Sequence, residues 1–186
     1  LQHQDGHSHI LSSTIPNCLS YDPAYAYEVA VIIKDGIQKM YVEQENYFYY
    51  ITTINENYKH PEMPKGAEEG IIKGMHRIKT SDKPSVRLIG SGAILNESLK
   101  ASEILKKYNI ESEVWSVTSF NLLRKDGMEV ERQNLLNPLN KKKLTYVEEC
   151  FEQSIPTIAA TDYMRSYAEQ IRPYILGQYI TLGTDG

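Results

Sequence analysis

The chain has 186 residues, 41% of them hydrophobic and 24% charged, with a net charge of -4; that suffices for one domain, or one domain and part of another, with a real buried core. The acidic balance gives no general attraction to nucleic acid or to an anionic membrane. No apolar run reaches the roughly 18–20 residues that span a bilayer, no signal-peptide pattern opens the chain, and two cysteines without a CxxC pair suggest neither a disulfide framework nor a zinc ribbon, which fits a reduced cytoplasmic setting.

Residues 1–14 are polar, with one glycine, and read as a loop entering a helix. Residues 15–20 form a short strand-like run, stopped by Tyr21-Asp22-Pro23. Asp22 is expected to cap the next helix, with Pro23 at its first position, where a missing N–H costs nothing. Residues 24–41 have helical periodicity, with an apolar stripe at Ala26, Val29, Ala30, Ile33, Ile37 and Met40 and a weak point at Gly36. Residues 47–54 are aromatic and β-branched on both faces, the pattern of a central parallel strand.

Two prolines, a glycine and mixed charges make residues 55–66 a linker. A short helix over 67–74 then leads into a strand at His76–Thr80. Beyond it, strands alternate with helices: a buried strand from Val86 turning at Gly90-Ser91-Gly92, a helix over 96–108, and a strand over 113–120. Residues 121–150 are polar and partly helical, interrupted by Asn137-Pro138. A strand over 157–162, a helix from Tyr163 to Tyr174 and a last strand in 178–186 complete the chain. This alternation implies right-handed crossovers and a largely parallel α/β sheet. Tyrosine is abundant, at 14 residues; such rings suit subunit or domain interfaces, and equally a partly buried core. With no initiator Met and a polar end directly after an apolar stretch, both ends read as cut from something longer.

Three histidines crowd the N-terminus, at His3, His7 and His9, with Asp5 between. Imidazole and carboxylate together could bind a divalent metal, but Gly6 opposes the helix that would bring His3 and His7 together. An active-site loop with imidazole as proton donor or anion clamp is the functional reading, and a solvated loop the plain one. Gly90-Ser91-Gly92 is a structural turn, with anion binding at the following helix as the alternative; it lacks both the GxGxxG and the Walker pattern. Cys18 and Cys150 have no histidine partner nearby in sequence, and Ser91 lacks the GxSxG elbow, so hydrolase chemistry is rejected. Thr161-Asp162 reads as a helix cap, with an interface hydrogen bond as the alternative.

Longer strings go further. LQHQDGHSHI, IPNCLSYDPAYAYEVAVI, YYITTINENY, MPKGAEEGIIKG, EVWSVTSF, ATDYMRSYAEQIRPY and LGTDG, in this order along nearly the whole chain, resemble the homodimeric, thiamine-diphosphate-dependent pyruvate dehydrogenase family, which is transketolase-like. The resemblance implies a piece of the C-terminal half. Residues 1–54 would be the end of the middle, pyrimidine-binding domain, and 55–66 a linker. Residues 67–186 would be a transketolase C-terminal-like three-layer α/β/α domain with a mostly parallel sheet, truncated at its C-terminus.

The activity so implied is decarboxylation of pyruvate by thiamine diphosphate and Mg2+. The two-carbon unit passes to the lipoyl domain of dihydrolipoyl acetyltransferase, within a cytoplasmic multienzyme complex. His3 matches the family's active-site histidine, expected to hold or protonate the substrate's oxygen atoms, while His9 and Asp5 match its substrate-contacting loop. The Gly-Asp-Gly…Asn motif for magnesium and diphosphate is not found, so no cofactor-binding or metal residue is assigned and the chain alone is expected to bind no cofactor and to be inactive. A non-catalytic α/β interaction or dimerisation domain, or a piece of another thiamine enzyme such as transketolase, is the alternative.

Overall fold

The computed structural model describes residues 5–186. A short helix α1 (Ser8–Ser12) leads to strand β1 (Cys18–Tyr21), helix α2 (Ala26–Ile37) with a π-helical turn over Gln38–Val42, and strand β2 (Phe48–Ile51). β1 and β2 pair in parallel as a two-stranded sheet. After an extended stretch come α3 (Glu68–Lys73), β3 (Met75–Lys79), β4 (Val86–Gly90), α4 (Ile94–Lys107), β5 (Ser112–Val117), α5 (Phe120–Leu136) and α6 (Tyr146–Cys150). Strand β6 (Thr157–Met164), α7 (Arg165–Glu169), a 3-10 turn over Arg172–Tyr174 and β7 (Tyr179–Thr184) follow.

The second sheet has five strands in the order β3-β5-β4-β6-β7. All its pairs are parallel except β3 with β5, which is antiparallel because β3 enters from α3 rather than through a crossover helix. The central strands β4 and β5 are buried on both faces, and alternation divides their side chains between two cores. Leu88 and Val114 pack with Leu95 of α4 on one face. On the other, Ile89, Trp115 and Ala159 pack with Phe120 and Leu123 of α5, Val147 of α6 and Tyr167 of α7. The result is three layers, as the sequence predicts.

A third core joins the two units. Ala67 and Ile71, at the start of and within α3, pack with Leu19, Tyr21 and Ile32, so α3 is shared by both sheets.

Five local expectations are corrected. The run 47–54 is no central strand: β2 lies in the two-stranded sheet, and its positions are exposed or half-buried. Asp22 does not cap α2. That helix begins at Ala26, and its capping group is the Glu28 carboxylate, which accepts from the backbone N–H groups of Ala24 at 2.5 Å and Tyr25 at 3.0 Å. The expected apolar stripe of α2 is not its buried face: Ile33 and Ile37 are 48% and 52% exposed, and the enclosed positions are Glu28, Ile32 and Gly36. Thr161-Asp162 is no helix cap, because β6 runs on to Met164. Finally, α4 starts at Ile94, directly after the glycine turn.

Candidate functional site

Asp5 shapes the first turn. Its carboxylate accepts from the backbone N–H of His7 at 3.1 Å and of Ser8 at 3.0 Å, and the Ser8 hydroxyl bonds its other oxygen. Burial works against the charge, but these bonds outweigh it and hold the carboxyl below its ordinary range. The C-terminal domain holds the turn from the other side. Met164 N–H donates to the Gly6 carbonyl at 3.1 Å. Asn121 Nδ2 donates to the His9 carbonyl at 2.7 Å and to Ser20 Oγ at 2.6 Å, and is itself fixed by Gln170 at 2.7 Å through its Oδ1.

His9 is fully buried. Its ring lies edge-on to Tyr50 and Tyr163, with centroids at 5.4 and 4.7 Å, and near-parallel to Tyr167 at 4.9 Å. Nε2 is 3.1 Å from Thr52 Oγ1. Burial holds the imidazole down at about 4, against a small opposing pull from the Asp5 charge. Of the three predicted site residues, Asp5 is exposed, His9 is enclosed by protein, and His3 lies outside the described residues. His7, the remaining member of the histidine group, is exposed.

Thr52 continues the chain of contacts. Its hydroxyl donates to Asp22 Oδ1 at 2.7 Å. Asp22 is buried, which pushes its carboxyl up to about 6; the Thr52 and Ser91 hydroxyls oppose that rise, and the charges of Glu28 and Asp162 add to it. Behind Asp22 stands the Gly90-Ser91-Gly92 turn. Gly92 has φ of 51°, its N–H donates to the Asp22 carbonyl at 3.1 Å, and a Cβ there would sit 2.6 Å from Asp22 Oδ2. The turn is thus the seat of Asp22, and a carboxylate of the protein itself occupies the place where the sequence left room for an external anion. Ser91 Oγ also lies 3.1 Å from Thr161 Oγ1, a hydrogen bond inside the five-stranded unit rather than across an interface.

Asp22 and Thr52 follow the carboxyl ends of β1 and β2; Ser91 and Thr118 follow those of β4 and β5. The two sheets therefore meet carboxyl end to carboxyl end, where parallel sheets gather polar chemistry. Sequence reasoning missed Asp22, Thr52 and Asn121; for Asp22 and Thr52, a polar residue directly after a strand was the available signal. It also missed Glu28. Besides its two cap bonds, this buried carboxylate accepts from Ser116 Oγ at 2.6 Å and His76 Nε2 at 2.7 Å, across the seam between the units.

Neither cysteine is an activated nucleophile. Cys18 is buried and Cys150 half-buried, both are free thiols, and burial pushes both above their ordinary value. Among the described residues, no group of three or more His, Cys, Asp or Glu is placed to hold a metal ion.

Comparison with known proteins gives these features a context. Residues 1–61 match the pyruvate dehydrogenase E1 component middle domain, and residues 74–186 the transketolase-like TK C-terminal domain. The chain is 58% identical over 191 residues to the pyruvate dehydrogenase E1 component of Buchnera aphidicola from Acyrthosiphon pisum. It is 55% identical over 191 residues to that of Escherichia coli. Each alignment covers all of this chain and 21% of the relative, so the chain spans about a fifth of their length. Among solved structures, a transketolase from Pichia stipitis in complex with fructose-6-phosphate superposes with a TM-score of 0.67 at 14% identity, covering 98% of this chain and 23% of that one, a likeness of fold. The C-terminal domain places the chain in the transketolase-like family, and over its whole length it matches the pyruvate dehydrogenase E1 component.

Proposed function

We propose that this chain forms one wall of the catalytic pocket in a thiamine-diphosphate-dependent enzyme that decarboxylates pyruvate and passes the acetyl unit to a lipoyl group of an acetyltransferase. The observation that carries this reading is the high overall identity to pyruvate dehydrogenase E1 components in alignments that cover the whole chain. The described residues do not fit the metal-diphosphate end of the cofactor: they bring together no ligand group for magnesium, and the Gly90-Ser91-Gly92 turn before α4 is filled by Asp22. What the chain contributes is placement. Asp5 holds the turn, His3 takes or gives a proton at the substrate's oxygen atoms, and His9 sets the turn's depth against the C-terminal domain. A homodimer with a shared active site, magnesium, membership of a multienzyme complex and a cytoplasmic location complete the reading. No described helix is long and apolar enough to cross a membrane.

The test is a chimera in which the matching segment of the Escherichia coli relative is replaced by this chain. Pyruvate decarboxylation with lipoyl acetylation is expected, and His3→Ala is expected to lower turnover more than about tenfold, the usual size of an acid–base contribution. A chimera that folds, binds thiamine diphosphate and ignores pyruvate would sink the proposal.

A further inference from the structure

The hydrogen-bond chain behind the Asp5–His9 turn has a direction, which follows from counting protons. Thr52 owns a single hydroxyl proton, and its shortest acceptor is the buried carboxylate oxygen Asp22 Oδ1 at 2.7 Å, ahead of the Tyr21 carbonyl at 3.2 Å, while the neighbouring Tyr163 hydroxyl has a proton of its own to give. Having given that proton away, Thr52 Oγ1 can meet His9 Nε2 at 3.1 Å only as an acceptor. His9 must then carry its proton on Nε2. Its Nδ1 has no hydrogen-bond partner among the described residues, and the imidazole is neutral at pH 7 because burial disfavours its charge. A buried imidazole with one nitrogen tied and the other bare is the arrangement in which a second residue decides which nitrogen acts.

We propose that Asp22 and Thr52 are positioning residues: the carboxylate orients the Thr52 hydroxyl, and the hydroxyl fixes His9 as its Nε2–H tautomer and sets the rotation of its ring. The residues act from three elements. Asp22 is seated on the turn between β4 and α4, Thr52 directly follows β2, and His9 lies in α1. The relay thus locks the Asp5–His9 turn to both sheets at once. The Asn121 bond to the His9 carbonyl grips the backbone of the same residue, so ring and backbone are held from different sides. Its catalytic consequence rests on the proposed role of the turn in the pocket; the tautomer itself does not.

Long-range 1H–15N correlation spectra of the chain with 15N-labelled histidine, at pH 7, read the tautomer directly, with His9 assigned by the signal lost in His9→Gln. The wild type is expected to show a protonated Nε2 and a bare Nδ1. Thr52→Val should lower the ratio of the two tautomers about fivefold, the change that loss of one ordinary hydrogen bond brings, and Thr52→Ser should restore it. If Thr52→Val fails to fold, Asp22→Asn serves in its place, because its amide can turn a donor toward Thr52 and reverse the chain. A wild-type Nδ1–H tautomer, or a ratio that the folded variant leaves unchanged, overturns the relay. In the Escherichia coli chimera, Thr52→Val should lower kcat roughly tenfold with little change in KM for pyruvate, and Thr52→Ser should restore it; an unchanged kcat rejects the catalytic consequence. A chimera inactive before any substitution refutes the pyruvate reading instead, and the spectra still decide the tautomer.

Discussion

At the scale of single residues, His9 and Asp22 respond to acid in opposite directions. Burial in the fold brings the His9 imidazole from 6.5 down to about 4. Its contribution to stability is therefore whole above about pH 6.5 and is lost as the pH falls toward 4. Burial takes the Asp22 carboxyl from 3.8 up to about 6; its contribution is whole below about pH 3.8 and is lost as the pH rises through 6. Between pH 6 and pH 4 the two slopes oppose each other. On acidification from pH 7 to 4.5, His9→Gln should gain stability relative to the wild type, and Asp22→Asn should lose it. Urea midpoints followed by the fluorescence of Trp115, the sole tryptophan, would measure both, and parallel pH profiles for all three proteins would refute the assignment. Glu28 offers a larger effect. Glu28→Ala removes the cap of α2 and strands His76 and Ser116 in the seam, so a loss of about 3–5 kcal/mol is expected in the same assay.

Helix α2 and the turn between β4 and α4 show where the elements were legible and where they were not. Ile32 is fully buried, whereas Ile33 and Ile37 face outward in this chain. Ile32→Ala should therefore cost about 2–5 kcal/mol and Ile33→Ala under about 0.5 kcal/mol, by urea titration. The periodicity of α2 revealed a helix but not its inward face, because a carboxylate occupies that face. Asp22-Pro23 is a sound local capping signal, yet the side chain was claimed by a partner far along the chain. The strands near 86–90, 113–117 and 157–162 were readable from their short apolar and β-branched runs between turn and helix signals, although buried polar residues such as Arg87, Glu113 and Thr157 interrupt them. At the Gly90-Ser91-Gly92 turn, the strand-to-helix bend was legible from the glycines, but its occupant was not. Gly92→Ala would bring a left-handed backbone penalty and a Cβ 2.6 Å from the Asp22 carboxylate, and should destabilise by about 2–4 kcal/mol; a thermal midpoint equal to wild type would contradict this. The Asp5 turn was legible because its bonds span only two or three residues, whereas the burial of His9 depends on tyrosines more than forty residues away.

Over the whole molecule, function and fold divide unequally. The five-stranded domain carries most of the mass, while the chemistry-bearing side chains sit where its strand ends meet those of the small sheet. Because the described residues supply no metal-diphosphate site, isothermal calorimetry with thiamine diphosphate and Mg2+ should record no stoichiometric heat for this chain by itself. A one-to-one isotherm would show that cofactor recognition needs far less polypeptide than proposed.

The extended stretch between β2 and α3 has a consequence of its own. It forms no regular structure, yet Tyr58 reaches back to the Ala24 carbonyl and His60 Nδ1 accepts from the Ala26 N–H at 3.1 Å. On either side of it, α3 and the Glu28 contacts knit the halves together without help from the peptide backbone. A single proteolytic nick there should leave two peptides that co-elute on gel filtration and part only in denaturant, so that the halves, expressed from separate reading frames, would find each other.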